Sequence, residues 1–122
     1  MNWEIILHEK HQYIEVVTKG TADTNGSLEM AKAVSENMQK NKCRRVLIDH
    51  RNISEVSGRI AAIYYRPQSL SDIGTMPGIK IAEIIKKEHV GHFRFLETVF
   101  SNNGFQVAMF LEQDKAIDWL LD

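Results

Sequence analysis

The most constraining feature of this chain is an alternation of short apolar runs with segments of helical periodicity, opened by two apolar runs in succession. Trp3 to His8 and Tyr13 to Lys19 are rich in Ile, Val and aromatic residues and are separated only by the polar Glu9-Lys10-His11-Gln12. Two such runs about four residues apart read as an antiparallel hairpin. Gly20 to Gly26 is a polar turn without periodicity. A helix is expected from about Ser27, with Ser27 or Asn25 capping its free N–H groups and Leu28, Ala31, Val34 and Met38 on one face. Val46-Leu47-Ile48, within a run from Arg45 to Asp49, is continuous and apolar, as in a strand buried on both faces.

From Ser57, the residues Ile60, Ile63 and Tyr64 mark a helical face to about Tyr65. Pro67 interrupts it, because proline removes a donor and restricts Arg66 before it. A short second helix through Leu70 to Ile73 precedes a turn at Gly74 and Met76-Pro77-Gly78. Ile79 to Ile85 is the next strand. Phe93, Leu96, Val99 and Phe100 give an amphipathic helix that Gly104 stops. Gln106 to Leu111 is the last strand, and Gln113 to Leu121 the last helix, burying Ala116, Ile117, Leu120 and Trp119. The order is ββαβαβαβα. Strands that alternate with helices need crossovers, so the fold class is α/β, a mixed and mostly parallel sheet with helices packed on it. The first strand lies outside the parallel core and runs antiparallel to the second.

The chain has 122 residues, within the size of one domain, and residues 1–122 are read as a single unit. Fifteen basic against sixteen acidic side chains leave a formal charge of −1. Nucleic-acid backbones draw affinity from clustered cations. The one dense group, Lys40, Lys42, Arg44 and Arg45, straddles the end of a helix, where cations favour its dipole. No nucleic-acid partner is expected. Cys43 is the sole cysteine, which points to a reducing compartment. The N-terminal apolar run has no basic region before it and no small-residue cleavage site after it, and no stretch approaches the ~20 apolar residues of a membrane span. The expected location is cytoplasmic, with no membrane span.

Several local patterns resemble the STAS / SpoIIAA-like domains, small bacterial modules that include anti-sigma-factor antagonists. Ile79-Lys80-Ile81-Ala82-Glu83-Ile84-Ile85 is similar to that family's fourth strand. Asn103 to Phe110, followed by Asp114-Lys115-Ala116-Ile117-Asp118-Trp119-Leu120, is similar to its closing strand and helix. The resemblance implies a regulatory, protein-interaction module and not an enzyme. In the antagonists a serine at the start of the helix after the third strand is the phosphorylated switch. Ser57 and Gly58 of Ile53-Ser54-Glu55-Val56-Ser57-Gly58 match the serine and glycine of that motif. Val56 replaces the aspartate before it, which points to the uncharacterised SpoIIAA-like branch.

The candidate sites follow. Ser57 is suited to carry phosphate, which would meet free N–H groups and the positive helix end, with Arg59 close in sequence. Helix capping alone, worth ~1 kcal/mol, is the simpler account of a serine there. Asp49, His50 and Arg51 are expected just past the end of a central strand, the edge where open α/β sheets bind ligands. They offer a carboxylate, an imidazole and a guanidinium for acid–base chemistry, or a solvated loop with a structural salt bridge. Ser54, Gly58 and Arg59 belong to the same edge. The loop Glu88-His89-Val90-Gly91-His92-Phe93 is expected as a rim there. Tyr64, Tyr65, Met76, Phe93 and Phe95 form either an apolar groove or ordinary core. His8 with His11 and His89 with His92 lack the third and fourth ligands of a zinc site, and no glycine-rich phosphate loop or nucleophile elbow occurs. No metal or cofactor is expected. The implied partner is an unknown protein or, as the alternative, a small apolar, lipid-like ligand. Exposed apolar helix residues also allow a homodimer.

Overall fold

The computed structural model describes residues 1–56, 78–94, 97 and 106–122. The strands are β1 (Asn2–His8), β2 (Tyr13–Ala22), β3 (Arg45–Val56), β4 (Lys80–Ile84) and β5 (Gln106–Phe110). They form one sheet in the order β1-β2-β3-β4-β5. The hairpin expected from the sequence pairs β1 antiparallel to β2, from Asn2 opposite Lys19 to His8 opposite Tyr13. Every other pairing is parallel, as crossovers of this length require. The expected helices between residues 57 and 77 lie outside the described residues.

Helix α1 spans Thr24–Asn41 and α2 spans Gln113–Leu121. The cap of α1 differs from the sequence expectation. β2 runs on to Ala22, and Asp23, in an extended conformation, accepts a bond from the backbone N–H of Gly26. Ser27, one of the two expected caps, is instead inside the helix on its buried face. The helix ends at Lys42, whose φ of 51° is left-handed, and Cys43 N–H closes the turn by donating to the Met38 carbonyl at 2.9 Å.

Alternation along the strands sorts the core onto two faces. Ile14 and Val16 of β2, Val46 and Ile48 of β3, and Ile81 of β4 pack with Met30, Val34 and Met38 of α1 and with Phe93. Tyr13, Leu47, Ala82 and Ile84 point the other way, onto Ala116 and Leu120 of α2. Ile14, Val46, Leu47 and Ile84 are wholly buried, and each such side chain stabilises the fold by about 1.5–3 kcal/mol. On α2, Ile117 and Trp119 are only partly buried, and Lys80 sits 4.4 Å above the Trp119 ring.

β3 is longer than its apolar run. The continuous segment ends at Asp49, but the strand continues to Val56, while β4 pairs only as far as Asp49 opposite Ile84. Beyond that point β3 pairs, among the described residues, with β2 alone, and its partnering slips twice. Val17 faces Asp49 while Lys19 faces Asn52, and Gly20 faces Ile53 while Thr21 faces Glu55. Both slips place an extra residue in β3, the signature of a β-bulge. Gly20, at a φ of +91°, lies opposite the second, where a side chain would strain the backbone.

Candidate functional site

The first bulge organises the only part of the α1 face, among the described residues, where polar side chains replace apolar ones in a row. Thr18 of β2, His50 of β3 and Glu83 of β4 follow Val16, Ile48 and Ile81 toward the C-terminal ends of the parallel strands. All three are buried. Thr18 Oγ1 lies 2.7 Å from His50 Nδ1 and donates to the Asp49 carbonyl at 3.2 Å. One hydroxyl carries one proton, so with that proton on the carbonyl, His50 Nδ1–H donates to Oγ1. Nε2 is then left facing Glu83, 3.8 Å from Oε1, which is too long for a hydrogen bond.

Phe93 closes the row from above, its ring stacked on His50 at 4.6 Å between centroids. It is carried by a segment that makes a 3-10 turn at Lys87–His89 and continues helically through 90–94. That segment was expected to be a loop forming a rim. Its histidines turn inward instead. His89 is buried, and His92 packs edge-on against Phe93 at 5.0 Å. Burial pushes the His92 imidazole below its usual range, and the neighbouring His89 and His50 push it further the same way. Glu83 Oε2, His89 Nδ1 and His92 Nε2 are buried with no hydrogen-bond partner among the described residues. Three unpaired polar atoms in one neighbourhood is unusual for a buried site.

The other face of the same stretch is fully paired. Arg51 donates to Asp49 three times: its backbone N–H to Oδ1 at 3.0 Å, Nε to Oδ1 at 2.9 Å, and Nη2 to Oδ2 at 2.8 Å. Nη2 also reaches Gln113 Oε1 of α2 at 2.9 Å. Burial pushes the Asp49 carboxyl up, but the Arg51 hydrogen bonds and charge, with a smaller contribution from His50, hold it below the usual carboxylate range. The bond to Asp49 raises the Arg51 guanidinium in turn.

Asp49, His50 and Arg51 therefore do not form the combined acid–base cluster that their adjacency suggested. They lie inside β3, and period-two alternation sends His50 to one face and the Asp49–Arg51 pair to the other. Ser54, at the second bulge, is exposed and donates to the Gly20 carbonyl at 3.2 Å. Ser57, Gly58 and Arg59 lie outside the described residues, as do Tyr64, Tyr65, Met76 and Phe95 of the expected groove. Phe93, assigned there to groove or core, is core at 2% exposure. His8 is held by Glu15 Oε1 at 2.7 Å and stacked on Tyr13, apart from the exposed His11. Among the described residues, no group of three or more His, Cys, Asp or Glu is arranged to hold a metal ion. No described helix is long and apolar enough to cross a membrane.

Sequence reasoning passed over Thr18 and Glu83. A signal was present in both. Thr18 continues the Ile14–Val16 alternation, and Glu83 is an acid at a core-facing position between Ile81 and Ile85.

Neither a protein-family model nor a curated protein sequence matches the chain. Solved structures do match its architecture. An uncharacterized protein of the DUF3478 family with a SpoIIAA-like fold, from Shewanella loihica PV-4, aligns with a TM-score of 0.59 and 15% identity over 98% of this chain and 92% of its own. The anti-sigma factor antagonist SpoIIAA in its unphosphorylated form aligns with a TM-score of 0.54 and 12% identity, over 97% and 96%. The fold is SpoIIAA-like. Within this SpoIIAA-like fold the polar row and the β3 overhang both sit at the C-terminal edge of the parallel strands, the edge at which open α/β sheets place their ligands.

Proposed function

We propose that residues 1–122 form one regulatory, protein-interaction module that docks a partner at the C-terminal sheet edge and is not a self-sufficient enzyme. The observation that carries this reading is the overhang of β3. Residues Arg51, Asn52, Ser54 and Glu55 are exposed on a strand that has passed its β4 neighbour, so hydrogen-bonding side chains stand at an edge without a covering strand on the β4 side among the described residues. The likeness to an anti-sigma factor antagonist supports the class of function. The state of the acid–base groups supports the second half. Asp49 is consumed by Arg51, and His50 is buried under Phe93, so neither presents a free catalytic atom to solvent.

Ser57 is the proposed switch residue. It directly follows the overhang in sequence, with Gly58 and Arg59 after it. A phosphate there would add negative charge and strong acceptors to the docking edge. Phosphopeptide mass spectrometry on protein from its own cells tests this. Trypsin releases Asn52 to Arg59, in which Ser54 and Ser57 are the only hydroxyl side chains. Phosphate on Ser57 is the expected result. Unmodified peptide across growth conditions removes the switch, while co-purification of a protein partner that Arg51→Glu and Glu55→Lys release tests the docking edge separately.

A second reading has its own observation. A groove of about 330 Å³ between the 90–97 region and the end of β5 is lined by Ile85, Val90, Met109, Phe110 and Leu111, with Arg94 and Glu97 at its side. A small apolar, lipid-like ligand fits that chemistry. Solvent extraction and mass spectrometry of the purified protein distinguishes it: a stoichiometric apolar molecule favours a carrier, and a clean extract favours the docking module.

A further inference from the structure

Buried His89 and half-buried His92 of the 87–94 segment are used by neither reading above. We propose that this segment is an acid-released cover: a proton taken up by His92, in the company of His89 and His50, loosens its packing over the Thr18–His50–Glu83 row and opens the C-terminal edge of the sheet.

Around the row, β2 contributes Thr18, which is neutral, with Lys19 exposed. β3 contributes His50, while Asp49 and Arg51 are bound to each other on the far face. β4 contributes Glu83. The buried face of α1 carries Ser27, Met30, Val34, Ser35 and Met38, none of which titrates, and its charged residues Glu29, Lys32, Glu36 and Lys40 are exposed. β5 supplies no titratable side chain. On the segment itself Lys87 and Arg94 are exposed, and Lys86 pairs with exposed Glu88 at 3.9 Å.

Glu83 is the buried carboxylate of the row, its Oε1 3.8 Å from His50 Nε2, and half-buried Glu97 lines the groove with Val90 and Met109. Among the described residues no carboxylate is paired with His89 or His92. His89 Nδ1 and His92 Nε2 have no acceptor to donate to among the described residues, and three imidazoles within one neighbourhood repel when charged. Opening the segment returns both rings to water.

The sign follows from linkage. A histidine held below its ordinary value when packed binds fewer protons closed than open, so the closed state is fully favoured above about pH 6.5 and loses ground as pH falls through that value. Below the lowered, packed value the loss levels off. Each unit of separation between the open and closed values makes opening about tenfold more frequent.

Hydrogen exchange on the full chain at pH 7.5 and 5.5, corrected for the intrinsic pH dependence of exchange, tests the proposal. Amides of residues 87–94 are expected to exchange about tenfold faster at the lower pH, while Leu47 and Ile48 in β3 keep their protection. His92→Gln and His89→Gln should each shrink the response, and His11→Gln, at an exposed position, should leave it intact. Unchanged protection at 87–94 overturns the proposal, as does an equal rise throughout the chain or an undiminished response in both variants. Imidazole NMR titration of the unmodified protein covers the case of variants that fail to fold. His92 must titrate below His11, and a value at or above His11 overturns the proposal as well.

Discussion

The two faces of β3 at residues 49–51 differ in how completely their polar groups are paired. On the α2 side, the Asp49 carboxylate takes three bonds from Arg51, and Arg51 goes on to Gln113. On the α1 side, among the described residues, His50 is hydrogen-bonded only to Thr18 and Glu83 retains a buried oxygen with no partner. Nearly the same stretch of backbone produces both, because alternation hands successive residues to opposite environments. A satisfied pair anchors structure and needs no further explanation. An unsatisfied buried row costs stability.

Five substitutions break or sharpen this contrast, beginning with the largest expected effect. Phe93→Ala should destabilise the fold by about 3–5 kcal/mol in urea unfolding, because it empties a site at 2% exposure and uncovers His50. A loss under ~1 kcal/mol would mean that the row is not sealed by this ring. His50→Ala should cost about 3 kcal/mol, since it leaves both Thr18 Oγ1 and Glu83 without their neighbour. Glu83→Met should by contrast change stability by less than ~1 kcal/mol or raise it, because it removes a carboxylate whose second oxygen is unpaired. Equal losses for those two variants would show that the row is a structural network like the one across the strand.

On the paired face, Asp49→Asn should cost about 1 kcal/mol at pH 7, a value kept small because Arg51 is part-exposed to screening solvent. The Asp49 carboxyl is held low in the fold, so its stabilisation is present above the unfolded value near 3.9 and is lost as pH falls through the lowered one. The gap between Asp49→Asn and the unmodified protein should therefore close only in acid below ~pH 4, whereas the response at 87–94 develops near pH 6. Urea midpoints measured from pH 7 to pH 3 separate the two. Arg51→Lys should cost the least, about 0.5 kcal/mol, through loss of the forked contact with Asp49 and the bond to Gln113.

Much of the architecture was legible without coordinates. The first strand, the Lys80–Ile84 strand, the closing strand and the Gln113–Leu121 helix stand within a residue or two of their expected ends, and the second hairpin strand starts as expected but runs three residues past Lys19. Apolar periodicity carries that information, since each element must bury one face. The extent of β3 was not legible. His50, Arg51, Asn52 and Ser54 read as a polar loop, and two bulges break the alternation that would have disclosed a strand. The cap of α1 was misplaced for a related reason: Gly20 and Asp23 look like turn residues, yet β2 runs through the first and ends only at the second.

The amino-acid order by itself determined the order of the described strands and helices, the antiparallel start, the parallel remainder and the polar character of the C-terminal edge. Those follow from local periodicity and from the geometry of crossovers. Only the tertiary structure decided which polar residues meet. Thr18, His50 and Glu83 come from three strands far apart in sequence, and the register of two parallel pairings together with one bulge brings them side by side. Asp49 and His50 are neighbours in the chain and face apart in the sheet. Side-chain direction depends on register and bulges, which nonlocal backbone pairing sets and which no local pattern encodes.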